Sequence, residues 1–193
     1  MDDPIGRVVA PYQPHTVLDV GAGHGGSLSW LVESFAAATL LVAVDVAAPA
    51  QPPPEQVRFV RADATALPFP DRSLPAVTAR AALHHVPDPP VAVRELARVL
   101  ADGGVLVIRD ATALSPERAA ELHAYLVERG RPPEPHAGVD PDQLAQAAGE
   151  AGLTVISLDR AAGTAMLAGP RFATPAFHLV ATRAMSHHGD CAG

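Results

Sequence analysis

A glycine-rich turn at residues 21–26 is the part of the sequence with the clearest chemical potential. Four glycines stand within these six residues, directly after the apolar run Thr16–Val20. The run predicts a buried strand, and the glycines predict a tight turn into a helix. Glycine permits positive φ and lets a ligand approach main-chain N–H groups at a helix start, where a carboxylate or phosphate binds. The alternative, a plain strand-to-helix turn, requires fewer glycines.

Two carboxylates follow the next two predicted strands. Asp45 ends the apolar run Leu40–Asp45, where it could accept both hydroxyl protons of a ribose, and Asp63 follows Val57–Arg61, where it could accept a bond from an adenine amino group. The competing interpretations are a helix cap for Asp45 and a turn aspartate for Asp63. Four prolines within residues 49–54 argue against a helix after Asp45, which favours the ribose.

The glycine spacing also satisfies a dinucleotide-binding pattern. Gly21, Gly23 and Gly26 form G-x-G-x-x-G, and Asp45 stands nineteen residues after the last of them. A nicotinamide-dependent oxidoreductase is therefore one interpretation. Spacing alone does not separate it from an enzyme that binds another adenosine-containing cofactor.

The elements that must hold these residues alternate between strand and helix along the chain. Helices are predicted at residues 27–38, 88–100, 115–129 and 140–152, and further strands at residues 74–79, 105–108, 153–158 and 177–182. Such alternation predicts an α/β fold with a mostly parallel sheet and helices on both faces. Ligands of such sheets bind beyond the carboxyl ends of the strands.

Composition and charge point to a small-molecule substrate. The net charge is -7, and the 14 basic residues, all arginine, are scattered along the chain, which argues against nucleic acid. The sequence has neither a signal-peptide pattern nor an apolar run long enough for a membrane span, so a cytoplasmic protein is expected. We predict one domain over residues 1–184 and a disordered tail at 185–193, whose histidines and lone cysteine lack the fixed geometry of a metal site.

Four segments in order resemble the motifs of class I S-adenosylmethionine-dependent methyltransferases. They are VLDVGAGHGGSL, VAVDVA, RADATALPFPDRS and AALHHVPDPPVAVRELARVLADGGVLVIRD. The last is especially similar to the small-molecule group related to quinone-biosynthesis methyltransferases. The resemblance covers about residues 16–110 and favours methyl transfer to oxygen, nitrogen or carbon over the oxidoreductase. It implies a Rossmann-like seven-stranded sheet whose last strand, residues 177–182, runs antiparallel.

The resemblance also implies roles for individual residues. Asp19 would engage the methionine end of S-adenosylmethionine, Asp45 would hold its ribose, and Asp63 with the Ala64 backbone would face its adenine. Arg80 and Ala81 would lie beside the transferring methyl. The full set expected to bind the cofactor is Asp19, Gly21, Ala22, Gly23, His24, Gly25, Asp45, Val46, Asp63, Ala64 and Ala81.

The candidates for catalysis are His84, His85 and Arg80. A base is needed only if the acceptor must lose a proton, and a histidine with a pKa near neutrality suits that task. The alternative for the two histidines is a packing role. Arg80 could pair with the carboxylate of the cofactor or of an acidic acceptor, or turn outward to solvent.

Two departures from the family pattern concern the enclosure of the pocket. Residues 49–54 replace the second helix, and only 15 residues precede the first strand, where relatives often carry covering helices. We therefore predict that residues 111–140 or a second subunit complete the pocket, and a homodimer is the expected oligomer. The same departures motivate an alternative function, a cofactor-binding protein that transfers no methyl group.

Overall fold

A computed structural model, which describes residues 4–131 and 135–186, contains one sheet with helices on both of its faces. The strands described are β1 (Thr16–Val20), β2 (Leu40–Asp45), β3 (Val57–Arg61), β4 (Leu74–Arg80), β5 (Leu100–Ala111), β6 (Thr154–Asp159), β7 (Thr164–Met166) and β8 (Ala173–Thr182). The helices described are α1 (Pro4–Val9), α2 (Leu28–Ser34), α3 (Pro89–Val99), α4 (Pro116–Glu128) and α5 (Pro141–Glu150).

The sheet confirms the predicted α/β fold and its antiparallel last strand. Seven strands follow the order β3-β2-β1-β4-β5-β8-β6, and β8 runs antiparallel to both of its neighbours. The predicted total of seven strands was too low, because the short strand β7 pairs with the first residues of β8 and brings the sheet to eight. Chain order reverses beside β1, between β2 and β4, so the ligand crevice of this fold lies at the ends of these strands.

Alternation along the strands divides the core into two layers. The α2 face of the sheet, which α1 and α2 cover, carries Val17, Val105 and Val107 packed with Ile5 and Leu31. The opposite α3 face, which α3 and α5 cover, is the larger core, and its residues include Leu18, Val77, Leu106, Leu96 and Leu144. At the carboxyl ends, Asp19, Thr78, Arg80 and Arg109 continue the α2 face, whereas Asp110 continues the α3 face.

Polar caps begin three of the helices near the residues predicted from sequence. Asp88 Oδ1 accepts a bond from Val91 N at 3.0 Å, and Asp140 Oδ1 accepts one from Asp142 N at 2.9 Å. Ser115 Oγ accepts a longer bond from Arg118 N, 3.4 Å. The prediction for residues 27–38 was too long, since α2 ends at Ser34. Residues 46–56, all of them described, form no helix, as the prolines of 49–54 predicted.

An ionic network fastens the β3–β4 connection to α3. The Arg98 guanidinium donates to both Glu95 oxygens, to Asp71 Oδ1 and to the carbonyls of Leu67 and Phe69. Glu95 Oε2 also accepts from Leu67 N at 2.9 Å. The hydrogen bonds from Arg98, followed by the one from Leu67 N, lower the pKa of Glu95 from its usual 4.5 despite its partial burial. The network supplies partners for main-chain groups that no helix or strand pairs here.

The lowered pKa of Glu95 predicts an acid-sensitive contribution to stability. The pKa of Glu95 is lower in the folded state than in the unfolded state, where it is about 4.5. Its contribution to stability is therefore complete at pH values above 4.5 and is lost as the pH falls through the folded-state pKa. We expect Glu95→Gln to lose about 1–2 kcal/mol at pH 7, because hydrogen bonds to charged groups are the strong ones. Thermal unfolding at pH 7 and at stepped pH below 4.5 measures this difference. The control is Glu121→Gln on the exposed side of α4, and an equal acid slope in wild type and Glu95→Gln would contradict the prediction.

Within residues 4–131 and 135–186, no helix combines the length and the apolar character that crossing a bilayer requires.

Candidate active site at the carboxyl ends of the strands

The glycine turn bends the chain back across the end of β2. Gly21 N and Ala22 N both donate to the Val44 carbonyl, at 2.8 and 3.1 Å. Gly21, Gly23 and Gly25 have φ values of 88°, 58° and 95°, which side chains rarely adopt. A Cβ on Gly21 would lie 2.1 Å from the Ala82 Cβ, so the turn touches the segment that leaves β4. A Cβ on Gly23, in contrast, would meet no described atom within 4 Å, so the middle of the turn borders open space.

Asp45 ties the end of β2 to the same turn. Its Oδ2 accepts from Gly23 N at 2.7 Å, and its Oδ1 accepts from Ala47 N at 2.8 Å. No helix follows within residues 46–56, so the competing helix-cap interpretation does not apply. A carboxylate has about four lone-pair sites, which leaves each oxygen able to accept a further bond. Open space at Gly23 beside a carboxylate with acceptor sites remaining fits the ribose of an adenosyl cofactor.

Asp19 lies beneath the turn, almost fully buried at 1% exposure. Thr78, its register partner on β4, donates from Oγ1 to Asp19 Oδ1 at 2.8 Å. The sequence analysis did not identify Thr78, because a threonine in a strand carries no signal of its own. This hydrogen bond fixes the carboxylate at the β1–β4 junction, where the resemblance expects the methionine end of the cofactor.

The predicted adenine contacts lie at the ends of β2 and β3. Val46 is 58% exposed, an apolar side chain open at the surface, while Ala64 packs partly against the core. Asp63 is exposed and forms a turn in which its Oδ1 accepts from both N and Oγ1 of Thr65, and these two bonds lower its pKa. Asp63 thus has the competing turn role, and its contact with adenine stays a prediction.

A buried carboxylate that the sequence analysis missed organises the exit of β4. Asp110, 2% exposed, accepts from Ala82 N and Leu83 N through Oδ2. Its Oδ1 accepts from Ala111 N at 2.7 Å and lies 2.6 Å from His84 Nδ1. An ionised carboxylate only accepts, so Nδ1 carries a proton when Asp110 is ionised, and Nε2 is then the basic nitrogen of a neutral ring. The signal in sequence was an acid directly after the apolar run that forms β5.

The two histidines differ in exposure. His84 is buried at 6%, whereas His85 is exposed, and their ring centroids lie 4.0 Å apart. Both stand on the short 3-10 turn Leu83–His85 that Asp110 holds. The packing role and the catalytic role considered for His84 are compatible here, because Asp110 contacts the ring at Nδ1 and not at Nε2.

Arg80 does not turn fully outward to solvent, and its pairing with a carboxylate of the cofactor or of an acidic acceptor stays a prediction. Its guanidinium lies 4.4 Å from the ring centroid of Trp30 on α2, and its side chain is half-buried instead of extending into solvent. Among the residues described, no carboxylate pairs with it. Ala81 follows with a φ of 50°, is exposed, and donates its N–H to the Arg109 carbonyl. The chain thus turns sharply where β4 ends.

The remaining candidates lie around this centre. His24 is exposed in the turn, and its carbonyl accepts from Ala50 N; Gly25 packs close to Pro49. His136, in the connection after α4, lies with Nε2 3.0 Å from the Pro87 carbonyl, so that connection reaches the segment after His85. The described residues contain no group of three or more histidine, cysteine, aspartate or glutamate side chains arranged to hold a metal ion. The tail histidines and Cys191 fall outside the described residues.

Comparison with known proteins identifies the family. A family model described as a methyltransferase domain matches residues 2–158. The chain belongs to the methyltransferase-domain family. This assignment confirms the class predicted from four ordered motifs, an S-adenosylmethionine-dependent methyltransferase, and decides against the nicotinamide interpretation of the glycine spacing. The arrangement of Asp19, the glycine turn and Asp45 agrees with that class.

Individual relatives place the domain among varied methyltransferases. The chain is 38% identical over 100 residues to a 2-methyl-6-phytyl-1,4-hydroquinone methyltransferase from Synechocystis, covering 49% of this chain and 31% of that relative. It is 34% identical over 166 residues to a malonyl-[acyl-carrier protein] O-methyltransferase from Halorhodospira halophila, covering 82% of this chain and 55% of the relative. The match thus spans about a third to a half of these relatives. The fold resembles that of the YcgJ protein from Bacillus subtilis, with a TM-score of 0.68 and 18% identity over 94% of this chain and 98% of that one.

Proposed function

We propose that this methyltransferase domain transfers a methyl group from S-adenosylmethionine to the oxygen, nitrogen or carbon of a small molecule. The observation that carries the proposal is the junction of β1, β2 and β4. There a glycine turn with open space at Gly23 meets the carboxylates of Asp19 and Asp45. Small-molecule acceptors named for the relatives, a hydroquinone among them, support the acceptor class.

Orientation is the main task of this chain's residues in that reaction. When bound, S-adenosylmethionine supplies a methyl group already activated by a positively charged sulfur. Asp45 and the glycine turn would hold the adenosyl part, and Asp19, fixed by Thr78, would hold the methionine part. Positioning a reacting pair in this way contributes up to about 7–11 kcal/mol to rate acceleration. Buried Asp19 and the apolar strands around it also limit the access of water.

A proton acceptor is available for acceptors that must lose a proton. His84 stands four residues after the end of β4, and its Nδ1 lies 2.6 Å from Asp110 Oδ1. The basic Nε2 is the nitrogen that would receive a proton from the acceptor. A methyl acceptor that reacts through an already available lone pair would not need this step.

We further propose that residues 111–140 cover the acceptor. Within this segment, α4 packs through Leu122 and Leu126 against Phe172, and Ala113 N and Leu114 N bond to the carbonyls of Val139 and Ala137. These contacts support a cover supplied by the same chain. The homodimer, the absence of nucleic-acid binding and the cytoplasmic location stay predictions, and size-exclusion elution at high concentration tests the first.

Calorimetry with S-adenosylhomocysteine, the product form of the cofactor, tests the proposal. We expect binding by the wild type and a Kd raised about tenfold or more in Asp45→Asn. The amide has one acceptor oxygen in place of two, so Gly23 N, Ala47 N and the ribose compete for it.

The matched control is Asp140→Asn at the start of α5, which makes the same kind of bond to the N–H two residues on. Asparagine caps helices as well as aspartate does, so its Kd and stability should equal those of wild type. No heat from either cofactor form at millimolar concentration would reject the proposal. Binding without any S-adenosylhomocysteine formed from S-adenosylmethionine across broad acceptor panels would favour the non-transferring alternative.

A further inference from the structure

Two arginines stand side by side at the carboxyl end of the sheet. Arg80 on β4 and Arg109 on β5 are register partners, so their backbones lie about 4.8 Å apart and both side chains leave the α2 face. Each is half-buried. The pair lies directly after the layer formed by Asp19 and Thr78, and Arg109 is on the side of β4 away from the glycine turn.

The described contacts of the two guanidiniums leave most of their N–H donors unused, the buried Nε of each among them. Arg80 stacks on Trp30, and Arg109 donates from an Nη2 atom to the Ala162 carbonyl at 3.2 Å. The Nε atom of each is buried and has no hydrogen-bond partner. Among the described residues, no carboxylate forms an ion pair with either arginine, and Asp110, next to Arg109, faces the opposite side of the sheet to hold His84.

Such an arrangement is costly for the protein alone. Buried polar groups normally have partners, and an unpaired buried charge is more costly than an unpaired neutral group. Like charges directly opposite on neighbouring strands also repel each other. The chain has 21 acidic residues and a net charge of -7, yet none of the acidic residues that the structure describes pairs with these arginines. An anionic ligand would remove both costs at once.

We propose that Arg80 and Arg109 bind a carboxylate of the methyl acceptor, so that the natural substrate is an acidic small molecule. The inference rests on the proposed function and adds a substrate class to it. Both guanidiniums carry N–H donors that no described residue engages, and charge-assisted bonds between arginine and a carboxylate are strong. Arg109 lies on β5, two strands away from the glycine turn that follows β1, and this position favours the acceptor over the cofactor as the ligand.

The test uses benzoate as the probe and benzamide as its uncharged counterpart of nearly the same shape. Each is titrated into the full chain saturated with S-adenosylhomocysteine, with calorimetry and the arginine Nε–H signals in 1H–15N NMR spectra as readouts. We expect benzoate to bind and to shift two Nε–H signals, those absent from the spectra of Arg80→Gln and Arg109→Gln. Benzamide should shift neither.

The variants separate a binding role from a structural one. Arg80→Gln and Arg109→Gln should each raise the Kd for benzoate about tenfold or more, whereas Arg94→Gln, on the exposed side of α3, should leave it unchanged. The two positions are independent, so a folding defect in one leaves the other as the test. An unchanged Kd for benzoate in a folded variant, or binding of inorganic phosphate in preference to benzoate, would overturn the proposal.

A second measurement distinguishes the acceptor from the cofactor. The Kd values for S-adenosylhomocysteine and for 5′-methylthioadenosine, which lacks the carboxylate, should be the same in both arginine variants as in wild type. If the Kd for S-adenosylhomocysteine rises in the variants while that for 5′-methylthioadenosine does not, the arginines bind the methionine carboxylate and the inference is overturned. Failure of the wild type to bind S-adenosylhomocysteine would instead reject the proposed function, while benzoate binding without cofactor still reports on the arginine pair.

Discussion

Gly21→Ala should destabilise the protein by about 3 kcal/mol and abolish measurable binding of S-adenosylhomocysteine. The new Cβ would lie 2.1 Å from the Ala82 Cβ, so one of the two segments must move. The φ of 88° adds the left-handed penalty of about 1–2 kcal/mol, and overpacking typically costs about 1–3 kcal/mol. For a chain of 193 residues, the melting temperature should fall by roughly 6–12 °C, which differential scanning calorimetry measures.

Gly23→Ala is the matched control for that result. Its φ of 58° carries a similar left-handed penalty, but its Cβ would meet no described atom within 4 Å. We therefore expect a loss of about 1 kcal/mol and a smaller fall in melting temperature. Equal destabilisation by the two substitutions would show that the contact between the turn and the β4 exit contributes nothing to stability.

Gly21→Ala should lose cofactor affinity because relief of the contact with Ala82 displaces the glycine turn. Gly21 N bonds to the Val44 carbonyl, and two residues later Gly23 N bonds to Asp45. A shift of Gly21 away from Ala82 would therefore displace the turn relative to the carboxylate expected to hold the ribose. The binding defect should persist at temperatures where Gly21→Ala is fully folded, which separates it from the effect on stability.

The seven main strands were predictable because each is an apolar run of ordinary strand length bounded by glycine, proline or acidic residues. Strand β7 was not predictable, because Thr164–Met166 has no strand-like sequence pattern. These residues form a strand by pairing with the first residues of β8. Helix α1 was missed for the same reason. Its six residues include a glycine, and the burial of Ile5 and Val9 against the sheet holds them in place.

The sequence was enough to predict that the glycine turn and Asp45 lie together, but it did not indicate the partners of Asp19 and His84. The glycine turn and Asp45 are local signals, since glycines and an acid after a strand stand out in any reading of the chain. The hydrogen-bond partners of Asp19 and His84 are distant in sequence. Thr78 is 59 residues from Asp19, and Asp110 is 26 residues from His84, so only the register of the sheet brings each pair together.

Asp110→Asn should lower methyl transfer far more than it lowers cofactor affinity. The carboxylate accepts from three main-chain N–H groups and from His84 Nδ1, but an asparagine amide has only one accepting atom. At least one buried donor loses its partner, which costs about 1–3 kcal/mol of stability. Where the amide nitrogen faces the ring, His84 must present a lone pair at Nδ1, and its proton moves to Nε2.

The tautomer of His84 distinguishes a positioning role of Asp110 from a merely structural one. With the proton on Nε2, that nitrogen cannot receive a proton from an acceptor, and loss of general base catalysis costs about 10²–10⁴-fold in kcat. With an acceptor that must lose a proton, we expect kcat to fall by that factor, the Kd for S-adenosylhomocysteine to stay within about threefold of wild type, and the ring 15N shifts of His84 to report the changed tautomer. Asp88→Asn, which preserves a helix cap on α3, is the control.

The kcat of a double variant at His84 and Asp110 shows whether Asp110 acts through His84. If Asp110 acts through His84, the double variant His84→Ala, Asp110→Asn should have the same kcat as His84→Ala alone, because a base that is absent cannot be misdirected. Independent, multiplicative losses would instead mean that Asp110 acts by holding Ala82 N and Leu83 N, and thereby the β4 exit that touches Gly21. Both routes pass through the Asp110 carboxylate, so either outcome predicts that residue 110 must stay acidic for full activity.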